Sequence, residues 1–125
     1  MKIAILGSGG REHAIAASIS KSSKKENIYC IPGNAGTLKI AINIDLDINN
    51  FEAIHKFLDE NKIDLVVIGP EQPLVNGIVD YLEKFNIKVF GPNKIASQLE
   101  GSKIFTKKLC EDYNIPTAKF AVLEN

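Results

Sequence analysis

The stretch 3-IAILGSGGREHAIAASI-19 decides the fold. Its first four residues form an unbroken apolar run, the pattern of a strand whose two faces are both covered, as in a parallel sheet. Glycines at 7, 9 and 10 follow at once, and Ala14, Ile15, Ala17 and Ile19 then recur at helical spacing. A buried strand, a glycine turn and an amphipathic helix make the first half of a crossover unit. That unit requires further parallel strands beside it.

Moving outward, 28-IYCI-31 and 65-LVVI-68 repeat the buried-strand pattern. A helix with Phe51, Ile54, Phe57 and Leu58 on one face precedes the latter, with Asn49 or Asn50 as its cap. After Pro73 one broad helical face carries Leu74, Val75, Ile78, Val79, Leu82 and Phe85, and 87-IKVF-90 follows as a strand. Residues 39-KIAINIDL-46 alternate strictly, which predicts an edge strand with Ile40, Ile42, Ile44 and Leu46 on one side. Asn93 and Ser102 are capping residues for two more helices, the second over 103–113 with Phe105, Leu109 and Tyr113 in line, stopped by Asn114 and Pro116. This order predicts an open, doubly wound, mostly parallel α/β sheet with helices on both faces. The tail 118-AKFAVLEN-125 begins to alternate like a strand and runs out, so the chain is expected to be a fragment.

A chain of 125 residues is one ordinary domain by length. Fifteen Lys plus Arg balance fifteen Asp plus Glu, so no overall field favours nucleic acid or an anionic membrane. Cys30 and Cys110 have neither CxxC spacing nor a small secreted framework, and four apolar residues ahead of Gly7 are too few for a signal segment. A cytoplasmic protein whose partners are small molecules or other proteins is expected.

Sheets of this class bind ligands beyond the carboxyl ends of their strands. Three loops lie there: 7-GSGGREH-13, 32-PGNAGT-37 and 69-GPEQP-73. A dinucleotide site needs a third glycine where this chain has Glu12, and an acidic residue after the second strand, where it has Ile31 and Pro32. A nicotinamide dinucleotide is therefore disfavoured, and no Gly-Lys-Ser/Thr supports a Walker loop. What remains is an anion site in which the N–H groups of Gly9, Gly10 and Arg11 open a helix, suited to a phosphate monoester. The loop by itself is equally consistent with a tight turn bearing a solvated Arg11 and Glu12.

In the second loop Gly33 and Asn34 tolerate unusual backbone angles and can present donors. Glu71 stands between two prolines past a buried strand, placed to receive sugar hydroxyls or pair with an amine, although a lone Glu is more often simply exposed. Asp45 and Asp47 lack a third ligand for a metal. His55 reads as a boundary residue and Cys30 as a small buried hydrophobe.

Together 7-GSGGREHA-14, 32-PGNAGT-37, 64-DLVVIGPEQPLVNGIVD-80 and 90-FGPNKIASQLEGSKIFTKKLCEDYNIPTA-118 closely resemble the amino-terminal region of the glycinamide ribonucleotide synthetases, the phosphoribosylamine-glycine ligases of the ATP-grasp superfamily. The resemblance implies a Rossmann-like domain without dinucleotide function, over residues 1–100. Residues 101–125 would be a linker helix and the start of the ATP-grasp region. It also implies the reaction of ATP, 5-phosphoribosylamine and glycine to glycinamide ribonucleotide, ADP and phosphate.

ATP and Mg (or Mn) would be held mainly downstream, leaving no catalytic residue in this stretch and the fragment inactive alone. Gly9, Gly10 and Arg11 would hold the 5-phosphate, Gly33 and Asn34 would line the same pocket, and Glu71 would lie near the ribose or amine. Lys103 resembles a lysine directed at nucleotide phosphates, with Lys107 and Lys108 solvated. Gln72 departs from the family pattern, where a small residue is common. The remaining domains of the same enzyme are the expected partners. A stand-alone nucleotide- or sugar-phosphate-binding module is the alternative.

Overall fold

The structure, a computed structural model, describes residues 1–122. Five parallel strands form one sheet: β1 (Ile3–Gly7), β2 (Ile28–Pro32), β3 (Ile42–Asn43), β4 (Leu65–Ile68) and β5 (Val89–Phe90), in the order β3-β2-β1-β4-β5. Helices α1 (Gly10–Ile19), α2 (Phe51–Glu60), α3 (Glu71–Asn76), α4 (Ile78–Glu83), α5 (Lys94–Gly101) and α6 (Lys103–Asp112) complete it. The chain steps outward from β1 to β3, then returns to place β4 on the other side of β1. The carboxyl ends of β1 and β4 therefore flank the point where the winding reverses. A crevice forms there because consecutive connections leave toward opposite faces.

The two covered faces predicted by the apolar runs are present. Ala4 and Leu6 of β1 join Ile54 and Leu58 of α2 and Ile78 and Leu82 of α4 in one core cluster. Ile3 and Ile5 point the other way, into a second cluster with Cys30 and with Ala16 of α1. Each fully buried Leu or Ile contributes about 1.5–3 kcal/mol, so the central strand is fixed in register from both sides. On α1 it is Ala16 that is fully enclosed, whereas Ala14 faces solvent.

Three expectations change. The 39–46 segment lies at the sheet edge, but only Ile42 and Asn43 pair with β2. Thr37–Lys39 form a 3₁₀ turn and Ile40 adopts φ −125°, ψ −8°, so the chain is not extended and the two-residue period fails. Ile40 accordingly packs with the α1-side cluster, Ile44 and Leu46 with the opposite one, and Ile42 is exposed.

The helix expected after Pro73 begins earlier and is broken. Glu71 opens α3, with Pro73 in the first turn where its missing N–H costs nothing. Gly77, at φ +93°, ends α3 in a left-handed cap and lets α4 start in a new direction. Phe85 falls beyond α4, and its ring stacks on the half-buried His55 with centroids 3.8 Å apart.

The last change is at the carboxyl end, where residues 118–122 form no strand and residues 123–125 of that expectation lie outside the described residues. Lys107 is not merely solvated: its Nζ donates to Thr117 Oγ1 at 2.6 Å and to the Ala118 carbonyl at 2.9 Å, tying this segment back to α6. The caps are as the side chains suggested. Asn50, Asn93 and Ser102 accept from the N–H groups of Ala53, Ala96 and Phe105 at 3.0, 2.9 and 3.2 Å.

Candidate functional site

Gly7 ends β1 at φ +123°, a conformation that side chains rarely adopt, and turns the chain away from the sheet. Gly9 then caps α1, and the first helical bond runs from His13 N–H to the Gly9 carbonyl. The turn faces the loop after β4 across an open cleft of about 410 Å³, lined by residues 7–12, Ile48 and residues 69–71. Of the residues singled out from sequence, the fold brings Gly9, Gly10, Arg11 and Glu71 to this cleft.

Glu12, read from sequence as either a missing glycine or a solvated acid, is neither solvated nor idle. It is 5% exposed, and its Oε2 accepts from the Gly9 N–H at 2.6 Å. This is the glutamate half of a capping box, with glycine at the cap position. The carboxylate also fills the space among three glycines: a Cβ on Gly7 or Gly9 would approach it to 2.7 or 2.9 Å, and one on Gly69 would collide with Oε1. The spacing Gly9-x-x-Glu12 is the sequence signal for this role, and Gly69 has no signal apart from it.

Because Glu12 takes the Gly9 N–H, the donors left at the helix start include those of Gly10 and Arg11, which carry no hydrogen bond to the described residues. Both point along the helix dipole that favours an anion. The Arg11 guanidinium donates from Nη1 to the Gly69 carbonyl at 2.7 Å, joining α1 to the end of β4. Its remaining N–H groups stay available to a ligand.

Gly33 and Asn34 do not line the cleft. Asn34 holds it from behind: its Nδ2 donates to the Ser8 carbonyl at 2.8 Å, and its Oδ1 accepts from Gly36 and Thr37 N–H at 2.8 and 3.0 Å. The enclosed Thr37 and the side chain of Asn43 complete this network, through the Thr37 Oγ1 bond to Asn43 Oδ1 at 2.7 Å. Gly33 is confined by Asn43, which a Cβ there would meet at 2.5 Å. His13 wedges α1 against the same loop, its ring so close to Gly36 that a Cβ there would lie 2.5 Å from Cε1. Thr37, Asn43 and this packing role of His13 were not legible beforehand, although Asn34-x-x-Thr37 is a turn pattern.

Glu71 is exposed at the first position of α3, where the helix dipole favours a carboxylate. It also borders a second, apolar groove of about 270 Å³ between α3 and α5, with Leu74, Pro92 and Leu99. The neighbouring Gln72 bonds Asn76 at 3.1 Å. Lys103 opens α6, exposed and away from the cleft. Cys30 is enclosed and free, as is the half-buried Cys110 free. Burial pushes the Cys30 thiol up to about 11, a hydrogen bond with Thr37 opposes this, and the charge of Glu12 adds to it. Asp47 is engaged in a local turn, accepting from Asn49 N–H at 2.9 Å. Among the described residues no group of three or more His, Cys, Asp or Glu is close enough to hold a metal, and no helix is long and apolar enough to cross a membrane.

The family model for the phosphoribosylglycinamide synthetase N domain matches residues 1–100, which include every residue of the cleft. The chain belongs to this family. It is 54% identical over 120 residues to a phosphoribosylamine-glycine ligase of Mesorhizobium japonicum, covering 96% of this chain and 28% of that protein. It is 45% identical over 124 residues to the same enzyme of Caldanaerobacter subterraneus, covering 99% of this chain and 30% of that protein. A crystal structure of the phosphoribosylamine-glycine ligase of Thermotoga maritima superposes with a TM-score of 0.69 at 33% identity, over 95% of this chain and 26% of that one. The synthetase N domain thus accounts for the resemblance seen in the sequence, and the chain spans less than a third of the length of these relatives.

Proposed function

We propose that this chain is the amino-terminal, substrate-holding part of a phosphoribosylamine-glycine ligase, an ATP-dependent carbon-nitrogen ligase of purine biosynthesis. The overall reaction converts ATP, 5-phosphoribosylamine and glycine into glycinamide ribonucleotide, ADP and phosphate. Residues 1–100 form the substrate domain, and residues 101–125 lead toward the ATP-grasp region.

The observation that carries the reading is Gly10. Its neighbours Gly7 and Gly9 are glycines because Glu12 leaves no room for a side chain, but a Cβ on Gly10 would meet nothing within 4 Å. Its φ lies outside the left-handed region, and glycine is a poorer helix residue than alanine, by up to about 0.8–1.0 kcal/mol in a helix interior. Nothing among the described residues requires glycine there. A ligand that must approach the Gly10 and Arg11 N–H groups does require it, and a phosphate monoester offers the matching charge.

The 5-phosphate is therefore assigned to Gly10 and Arg11, with Gly9 shaping the turn, and Asn34 and Gly33 holding the loop behind it. Glu71, across the cleft, faces the ribose hydroxyls or the amine. Lys103 is assigned to a nucleotide phosphate on independent grounds. A cation at the first position of a helix opposes the dipole by about 0.3–1 kcal/mol, and no carboxylate pairs with it among the described residues. The donor set does not fit a metal here, so Mg or Mn and most contacts to ATP are assigned to the remainder of the enzyme. The cleft residues of this chain are assigned to binding and orienting the substrate.

Calorimetric titration with ribose 5-phosphate tests the assignment, comparing the chain with its Gly10→Asp variant. The space beside Gly10 admits the new side chain, and an acid in a helix first turn does not harm folding. Losing two charge-assisted N–H bonds, each about 1.5–3 kcal/mol, predicts at least a ~100-fold weaker Kd. Equal binding by the two proteins would remove the loop from the site.

A further inference from the structure

Glu12 holds a position in the cleft that neither helix capping nor core packing accounts for fully. Only one of its carboxylate oxygens, Oε2, is bonded, to the Gly9 N–H. The other, Oε1, has no donor among the described residues. Among the described residues no fully enclosed polar side-chain atom lacks a partner, so Oε1 is not sealed off, and Glu12 is one of the residues that line the cleft. It lies beside Gly69, which lines the same cleft as Gly10 and Arg11.

We infer that Glu12 is the specificity-determining residue of the cleft, admitting a phosphate monoester whose next groups are hydrogen-bond donors and rejecting a diphosphate. The inference rests on the assignment of a sugar phosphate to this site. Two effects act together. In a dinucleotide loop the corresponding helix start approaches its strand through a third glycine and lays a row of N–H groups along a pyrophosphate. Here the side chain of Glu12 occupies that approach and consumes the Gly9 donor, leaving N–H groups for a single phosphate.

The second effect is charge. A group bonded next to the held phosphate meets Oε1. A hydroxyl or ammonium donates to it and is favoured, whereas a second phosphate presents anion to anion in a partly desolvated cleft. A simple nest of backbone N–H groups does the opposite and prefers the more highly charged anion. Glu12 inverts that preference.

The test is the ratio of two affinities, which a purely structural role does not move. Ribose 5-phosphate and ADP-ribose are titrated into the chain and into Glu12→Gln, which keeps an oxygen for the Gly9 N–H and removes the charge. The chain is expected to favour ribose 5-phosphate at least 10-fold, and Glu12→Gln to reduce the ratio to threefold or less. Binding of ribose 5-phosphate with an unchanged ratio in a folded Glu12→Gln overturns the role of Glu12 alone. No ribose 5-phosphate binding by the unaltered chain overturns the sugar-phosphate assignment itself, and this inference with it. A measurement independent of any variant uses inorganic phosphate and pyrophosphate on the unaltered chain. Weaker binding of pyrophosphate supports the inference, and equal or tighter binding overturns it.

Discussion

Gly69→Ala isolates the contact on which the cleft depends. The φ of Gly69 lies outside the left-handed region, so alanine meets no backbone strain. Elsewhere such a change stabilises a protein by about 0.4–1 kcal/mol through the unfolded chain. Here the added Cβ would come 2.5 Å from Glu12 Cγ and Cδ and closer still to Oε1. Glu12 cannot shift sideways, because Gly7 and Gly9 already confine it on the other flank. It must swing into the cleft and release the Gly9 N–H.

A hydrogen bond to a charged group contributes about 1.5–3 kcal/mol, so after the unfolded-state gain the net loss is about 1–2 kcal/mol. For a domain of this size that lowers Tm by roughly 4–8 °C. With Glu12→Ala already present the collision is gone, and Gly69→Ala then becomes neutral or stabilising. Thermal and urea unfolding of the four proteins in a double-mutant cycle reads a coupling of about 2 kcal/mol. A coupling below ~0.5 kcal/mol would refute the view that Gly69 is glycine because of Glu12.

Two further outcomes follow from the loop behind the cleft. Cys30 is protonated in the fold up to about pH 11 but ionises near 9.0 when unfolded, so between these values the unfolded state binds fewer protons and stability falls as pH rises. The loss is of order 1–3 kcal/mol over that window, read by urea titrations at stepped pH, and Cys30→Ala should flatten it. Asn34→Ala removes the bond to Ser8 and leaves the Gly36 and Thr37 N–H groups unpaired, at a cost of about 2–3 kcal/mol, with faster amide exchange confined to residues 33–37 and 8–9. Asn34→Asp retains the two accepted bonds and should recover more than half of that loss.

The sheet was legible because its central strands are buried on both faces. Runs such as 65-LVVI-68 have no other use in a chain of mixed composition, and the glycine turn after 3-IAIL-6 gives the direction of the crossover. The edge was not legible. An alternating pattern reports a pleated strand only where neighbours on both sides hold it extended, and β3 has one neighbour. There the isoleucines of 40–46 are drawn to whichever core they can reach, Ile40 to one face and Ile44 to the other. The break at Gly77 escaped for a related reason. Leu74, Ile78 and Leu82 keep helical spacing across it, since α3 and α4 pack on the same core.

At the site, sequence identified the loop but misjudged what its residues do for one another. Glycines behind a strand look alike as room for a phosphate, yet the reasons for them differ position by position. Gly7 answers to its φ of +123° and, with Gly9 and Gly69, to the carboxylate of Glu12. Asn34 spends its polar atoms on Ser8, Gly36 and Thr37, and Gly33 abuts Asn43, so the second loop supports the first and does not touch the cleft. Such roles depend on which residue lies opposite in space, and spacing along the chain carries that only for Glu12 and Gly9, three apart. Once each protein-made reason is subtracted, Gly10 is the loop glycine without one. A residue that costs helix stability, borders a cleft and has open space beside it is explained by what approaches from outside. The proposed ligand-binding part of 7-GSGGREH-13 therefore narrows to Gly10 and Arg11, and on the same proposal Glu12 turns from the argument against one ligand into the means of choosing another.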